Sequence, residues 1–253
     1  MKPQHSPWLV RQVAPTCRLR LYCFCYAGGS ASAFANWQAD LDPSIEVVAV
    51  ELPGRGRRFG EPPTTSLKFV SETVGRLIAA EGDIPFAFFG HSLGALIAFE
   101  VTRFLQQNHL PMPQELMVSG ASAPQYRRKM HLHLLDDDTL IDELRKYNGT
   151  PPAVLEHREL MELLLPMIRA DFSIAGEYEY VSAPVLNLPL TVLMGREDDN
   201  ADGNFVDGWK KETSGECHIA WFEGGHFFIH SQRAAVLECI KSRLHFFLGR
   251  LAA

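Results

Sequence analysis

No stretch of this 253-residue sequence approaches the roughly 20 apolar residues of a membrane-spanning helix. The opening "MKPQHSPWLV" has no apolar segment of the kind a secretory signal carries. There is no Lys/Arg block either; the nearest is "GRGRRF" at Gly54 to Phe59, and the net charge is −6. A mildly acidic chain without a basic patch is a poor nucleic-acid binder. Cysteine is scarce and odd in number: Cys17, Cys23, Cys25, Cys217 and Cys239, with no C-x-x-C pair. That excludes a disulfide scaffold and fits unpaired thiols in a reducing compartment. "HLH" at His131 to His133 is too isolated for a metal site, so neither metal nor cofactor is expected. Internal repeats and low-complexity tracts are also missing. What remains is a soluble, cytoplasmic chain, 46% apolar and 21% charged, with enough apolar material for one substantial core.

The apolar residues fall into two alternating patterns. "LRLYCFCY" (19–26), "IEVVAVEL" (45–52), "PFAFFG" (85–90), "ELMVSGA" (115–121), "LTVLMG" (190–195) and "CHIAWFEGG" (217–225) read as strands. Between them, 66–80 and 93–106 show helical spacing, "ANWQADL" begins a helix, and a last helix spans about 232–248. Strands apolar throughout, alternating with helices, predict a mostly parallel sheet covered on both faces. From Ser122 to Pro189 only helices are read, punctuated by "YNGTPP". The organisation expected is a single α/β domain over 1–253 with a helical insertion at about 122–189.

"FFGHSLGALIAFE" carries the chemistry. It places G-x-S-x-G, with Gly90, Ser92 and Gly94, between a strand and a helix. A strained strand-to-helix turn needs near-absent neighbouring side chains and lifts a serine hydroxyl to a helix N-terminus, where developing negative charge is favoured. A serine needs a base, and the base an orienting acid, in the order Ser, Asp or Glu, His for such a sheet. His226 of "EGGHFFIH" follows the last strand directly and is the expected base; His230 and His91 are expected to be structural. The acid comes from "REDDNADGNF", where Glu197, Asp198, Asp199 and Asp202 are candidates; Asp198 is favoured, then Asp199. Two N–H groups must hold the oxyanion. Leu93, after the nucleophile, and Ala27, in the loop "CYAGGSAS", are assigned to it.

"FCYAGGSASAFANW", "VVAVELPGRGRRFGEPP", "FFGHSLGALIAFE", "LLPMIRADFSIAGEYEY", "LTVLMGREDD" and "FEGGHFFIH" together resemble the type II (external) thioesterases of non-ribosomal peptide and polyketide synthesis. The resemblance runs from about Leu19 to Leu248. It implies an α/β-hydrolase fold and hydrolysis of acyl groups held as thioesters on the phosphopantetheine arm of a carrier protein. By the same resemblance Ser92 is nucleophile, His226 base, Asp198 acid, Ala27 and Leu93 the oxyanion hole, and the insertion a lid over the acyl pocket. The chain departs from the family pattern at Arg196, where an acidic residue often follows the strand-end glycine. Arg169 and Asp171 of "MIRADF", two residues apart, do not share a helix face; they are expected to anchor the lid, with substrate contacts as the other reading. Arg55, Arg57 and Arg58 are read as a solvated or sheet-anchoring loop, with a carrier protein or a phosphate as the other reading. The expected partner is an acyl- or peptidyl-carrier protein, and the expected state a monomer. Two alternatives stand beside this reading: a small-molecule carboxylesterase with the same triad, and a non-catalytic hydrolase-like binding protein.

Overall fold

Seven strands, β1 (Leu9–Gln12), β2 (Leu19–Phe24), β3 (Ile45–Val50), β4 (Phe86–His91), β5 (Leu116–Ser119), β6 (Leu190–Gly195) and β7 (Cys217–Phe222), form one sheet in the order β1-β3-β2-β4-β5-β6-β7. The computed structural model describes residues 6–12, 14–127, 129–199 and 202–250. The first five residues of "MKPQHSPWLV", and Asn200 and Ala201 of the acidic loop, lie outside them. All strand pairs are parallel except β1 with β3. Every parallel strand is among those expected from the sequence; β1 is not, because "LVRQ" has no alternation to mark a four-residue edge strand.

Among the described residues there are nine α-helices: α1 (Trp37–Asp40), α2 (Leu67–Ala79), α3 (Leu93–Gln107), α4 (Asp137–Tyr147), α5 (Pro152–Leu155), α6 (Arg158–Gly176), α7 (Gly203–Asp207), α8 (Phe228–Ser231) and α9 (Arg233–Arg250). Because β2 to β6 are buried on both faces, two cores result. One joins Phe88, Val118 and Val192 to α2 and α3; the other joins Phe89, Met117 and Leu193 to Trp37 and α9. Adjacent residues of one strand thus serve opposite cores, as the pleat requires. None of the described helices is long and apolar enough to cross a membrane.

The segment from 122 to 189 lies between β5 and β6 and holds α4, α5 and α6. These pack on a small core of their own, around Leu140, Leu144, Met161, Leu165 and Ile168. The expectation of helices throughout is corrected at both ends: before α4 the described chain has only two short 3-10 turns, Pro124–Tyr126 and Leu132–Leu134, and after α6 stops at Gly176, 177–189 returns to the sheet as irregular chain. Val181, Pro184 and Pro189 suit an extended return and not a helix.

Strand order places the site. The chain passes from β2 outward to β3, then crosses back to β4 on the other side of β2. The loops after β2 and β4 therefore diverge at the carboxyl edge of two neighbouring strands, which opens a crevice there.

Candidate active site

Ser92 sits between β4 and α3 with φ 57° and ψ −113°. Non-glycine residues avoid this region, so the turn is strained. Ser92 N–H donates to the Ser119 carbonyl at 2.8 Å, and its own carbonyl accepts from Ala95 N–H at 3.2 Å. The two glycines of the motif act by close approach. Neither has a positive φ. A Cβ on Gly90 would overlap the Gly94 carbonyl, and one on Gly94 would overlap the carbonyls of Phe24 and Cys25. The start of α3 is thus pressed against the ends of β2 and β4, which fixes where the Ser92 hydroxyl emerges.

Two long-range loops meet that hydroxyl. His226, just after β7, has Nε2 at 3.0 Å from Ser92 Oγ. Its Nδ1 lies 2.8 Å from Asp198 Oδ2. With Nδ1–H donating to the carboxylate, Nε2 is left to accept the serine hydroxyl. Asp198 is buried while Glu197, Asp199 and Asp202 are exposed, so the fold brings one of the four acidic candidates to the imidazole. The Asp198 N–H donates to the Gly195 carbonyl at 3.3 Å, a tight turn directly off β6.

Ala27 and Leu93 border the same cavity as Ser92. Among the described residues no protein acceptor takes up either backbone N–H. Leu93 opens α3, whose first-turn amides and dipole favour an anion. The cavity has a volume of about 830 Å³ and is also bordered by Tyr147, Phe172 and Phe227. Tyr147 and Phe172 come from the insertion, which makes it a roof over Ser92 and His226. The Tyr147 ring lies 5.9 Å from that of His226.

The other histidines near the site differ in role. His91 is fully buried, with Nδ1 2.9 Å from Ser119 Oγ. Burial, with His226 and His230 adding to it, holds its pKa well below the ordinary value, so it is neutral. His230 Nε2 is 3.1 Å from the Tyr26 hydroxyl, and burial lowers its pKa too. Neither imidazole is hydrogen-bonded to the Ser92 hydroxyl, which is bonded to His226.

The arginine loop is largely internal. Arg55 forms a two-pronged ion pair with Asp171 of α6, Nη1 to Oδ2 at 2.7 Å and Nη2 to Oδ1 at 2.6 Å. Arg55 Nη1 also donates to the Gly29 carbonyl, and Asp171 Oδ2 accepts from Gly28 N–H at 2.8 Å. One buried pair therefore ties the roof helix to the loop that presents Ala27. Arg58 donates to the Glu51 carbonyl and to both oxygens of Glu61, and it lies over the Trp8 ring. Of the three arginines only Arg57 is exposed. Arg169 donates to the His133 and Leu135 carbonyls and to Asp137, bracing α6 against the start of α4. Asp171 and Arg169 both hold the insertion in place and, in keeping with their lying on different helix faces, meet different partners.

Three features escaped the sequence reading. The contact of Asp171 with the Ala27 loop crosses 143 residues and leaves no local pattern. Arg127, in the loop after β5, borders the cavity. The "HLH" pair is not isolated, because Glu177 at the end of α6 closes on it. His133 Nε2 is 3.0 Å from Glu177 Oε1, and the donor atoms of His131, His133 and Glu177 lie within 4.8 Å of one another.

Comparison with known proteins agrees with this geometry. The thioesterase domain family matches residues 19–244. The chain is 40% identical over 248 residues to the gramicidin S biosynthesis protein GrsT of Aneurinibacillus migulanus, with 97% of each chain covered. It is 38% identical over 244 residues to thioesterase PikA5 of Streptomyces venezuelae, covering 94% of this chain and 85% of that one. The type II thioesterase BorB from the borrelidin biosynthetic cluster superposes with a TM-score of 0.87 at 34% identity, covering 95% of this chain and 99% of BorB. An α/β-hydrolase sheet, a roofed serine elbow and a match along nearly the whole chain lead to one conclusion: the protein belongs to the thioesterase family and is a thioester hydrolase similar to its type II members.

Proposed function

We propose that the chain removes acyl groups from the phosphopantetheine arm of carrier proteins, as an editing enzyme of a non-ribosomal peptide or polyketide assembly line. The observation that carries this reading is the hydrogen-bonded series Ser92–His226–Asp198 opening on a roofed cavity of about 830 Å³. The names of its relatives, which belong to gramicidin S and borrelidin biosynthesis, support the assembly-line setting.

In this mechanism Ser92 is the nucleophile. Its Oγ attacks the thioester carbonyl carbon while His226 Nε2 takes the hydroxyl proton. Asp198 holds the imidazole in place and stabilises it once it is charged. The Ala27 and Leu93 amides donate to the tetrahedral oxyanion, an interaction stronger there than with the ground-state carbonyl. Collapse breaks the C–S bond, and His226 returns the proton to the departing pantetheine thiolate. Water, deprotonated by His226, then attacks the acyl-serine and releases the carboxylic acid and Ser92. The five cysteines are all free, which suits a cytoplasmic enzyme, and a monomer is sufficient because one chain supplies all five groups.

The test is intact-mass analysis of acyl-loaded carrier proteins before and after addition of enzyme. The wild type is expected to deacylate them and Ser92→Ala to leave them loaded, with kcat at least about 10³-fold lower. Strong preference for p-nitrophenyl esters over acyl-carrier protein would favour a small-molecule esterase instead.

A further inference from the structure

Nine described arginines are buried or half-buried: Arg11, Arg20, Arg55, Arg58, Arg103, Arg127, Arg169, Arg233 and Arg243. Eight of them lie within ion-pair distance of a carboxylate. The exception is Arg127. No described carboxylate lies within 4.0 Å of its guanidinium, no described group accepts a hydrogen bond from its side chain, and its Nε is buried. The two phenols that act on it electrostatically are already occupied. Tyr178 donates to Glu100 at 2.8 Å, and Tyr147 donates to Met130 Sδ at 3.7 Å. Burial pulls the Arg127 pKa below its ordinary value, whereas Asp171 outweighs burial for Arg55 and holds that one above.

A half-buried guanidinium whose Nε is out of water and which has no counter-ion is unfavourable for folding. Arg127 therefore does not serve the fold as Arg55 and Arg58 do. It does border the cavity that Ser92, Ala27, Leu93 and His226 share. The acidic residues on that cavity are committed or distant: Asp198 to His226, Glu143 to Lys146, and Glu197 and Asp199 outside ion-pair range of Arg127. A planar, two-pronged cation on the border of this cavity matches a carboxylate. Resting on the thioesterase reading, we propose that Arg127 is a substrate-selecting residue that binds a free carboxylate on the acyl group, so that the preferred substrates are thioesters of dicarboxylic acids. A neutral acyl chain would leave the guanidinium unpaired and drier still; a carboxylated one supplies its missing partner.

The test compares carrier proteins loaded with succinyl, glutaryl or adipyl groups against butyryl, valeryl or hexanoyl groups, together with the same acyl groups on N-acetylcysteamine, which has no phosphate. The wild type is expected to favour at least one carboxylated acyl group over its neutral match by about tenfold or more. Arg127→Met and Arg127→Gln are expected to lose about a hundredfold in kcat/KM on that substrate. They should hold or gain on neutral ones, and their Tm should not fall. Equal rates for the two classes, unaltered in the variants, would overturn the proposal. So would an equal loss on all carrier-bound substrates that disappears with N-acetylcysteamine thioesters, since the cation would then serve the arm's phosphate. If no thioester is cleaved, the thioesterase reading fails, and calorimetry with free glutarate decides the remainder: binding that Arg127→Met abolishes upholds the carboxylate site, and no binding to the wild type overturns it.

Discussion

Ser92 holds its backbone at φ 57° without a glycine's freedom, and the surroundings enforce this through Gly90, Gly94 and the Ser119 carbonyl. Strain of this kind costs about 1–3 kcal/mol and persists where the neighbouring structure over-determines it. Two variants separate the hydroxyl from the strain. Ser92→Ala and Ser92→Gly both lack the hydroxyl proposed as nucleophile, but only glycine relaxes the turn. Allowing for the greater entropy that glycine loses on folding, Ser92→Gly should be about 1 kcal/mol more stable than Ser92→Ala in urea unfolding, with both inactive. Equal stability would mean that the turn carries no strain. At this scale the sequence is highly legible. G-x-S-x-G with a strand before it and a helix after identifies Ser92, and the Gly-Gly-His that follows the last strand identifies His226. The acid is legible only to a loop. Asp198 and Asp199 are chemically alike, and burial separates them, which depends on how the loop turns off β6.

The element that gives the site its roof, α6, is joined to the Ala27 loop by the Arg55–Asp171 pair. Both side chains are buried, so removal of one charge strands the other, at a cost of about 3–5 kcal/mol. Asp171→Asn should therefore lower unfolding free energy by that order and also reduce kcat, because the Gly28 amide loses its charged acceptor beside Ala27. Arg55→Met combined with Asp171→Met leaves no lone charge and should recover most of the stability while kcat stays low. Thermal unfolding and steady-state deacylation of the two proteins check this; recovery of both together would confine the pair to stability. The pairing itself was not readable locally. "GRGRRF" reads as a solvated or sheet-anchoring loop and Asp171 as a lid anchor, and only the fold shows that Arg55 and Arg58 turn inward and that Arg55 meets Asp171. The insertion's helices were readable from periodicity. Its irregular return at 177–189 was not, since prolines and β-branched residues mark what the segment avoids and not the course it takes.

For the whole molecule, parallel strands of near-unbroken apolarity sufficed to predict a sheet buried on both faces, and their order along the chain gave the sequence of site residues. Spatial order is set by long-range pairing, so the placement of β2 between β3 and β4, which opens the crevice, had to come from the structure. The buried sheet edge also gives the protein a definite response to acid. His91, at the end of β4, is enclosed among Tyr26, His226, Phe227 and Phe228, and its folded pKa lies well below the ordinary 6.5. The unfolded chain takes up a proton at this residue as pH drops through about 6.5, while the folded protein does not. The unfolded state thus binds more protons, and stability must decline with falling pH, by about 1 kcal/mol per pH unit for this one group, until the folded pKa is reached. His91→Asn removes the group. Its unfolding free energy, measured in urea at pH 7, 6 and 5, should fall less steeply between pH 6 and 5 than that of the wild type, by about 1 kcal/mol per unit. Parallel curves would mean that His91 takes its proton equally well in the folded protein, which a neutral imidazole walled in by aromatic rings beside His226 does not allow.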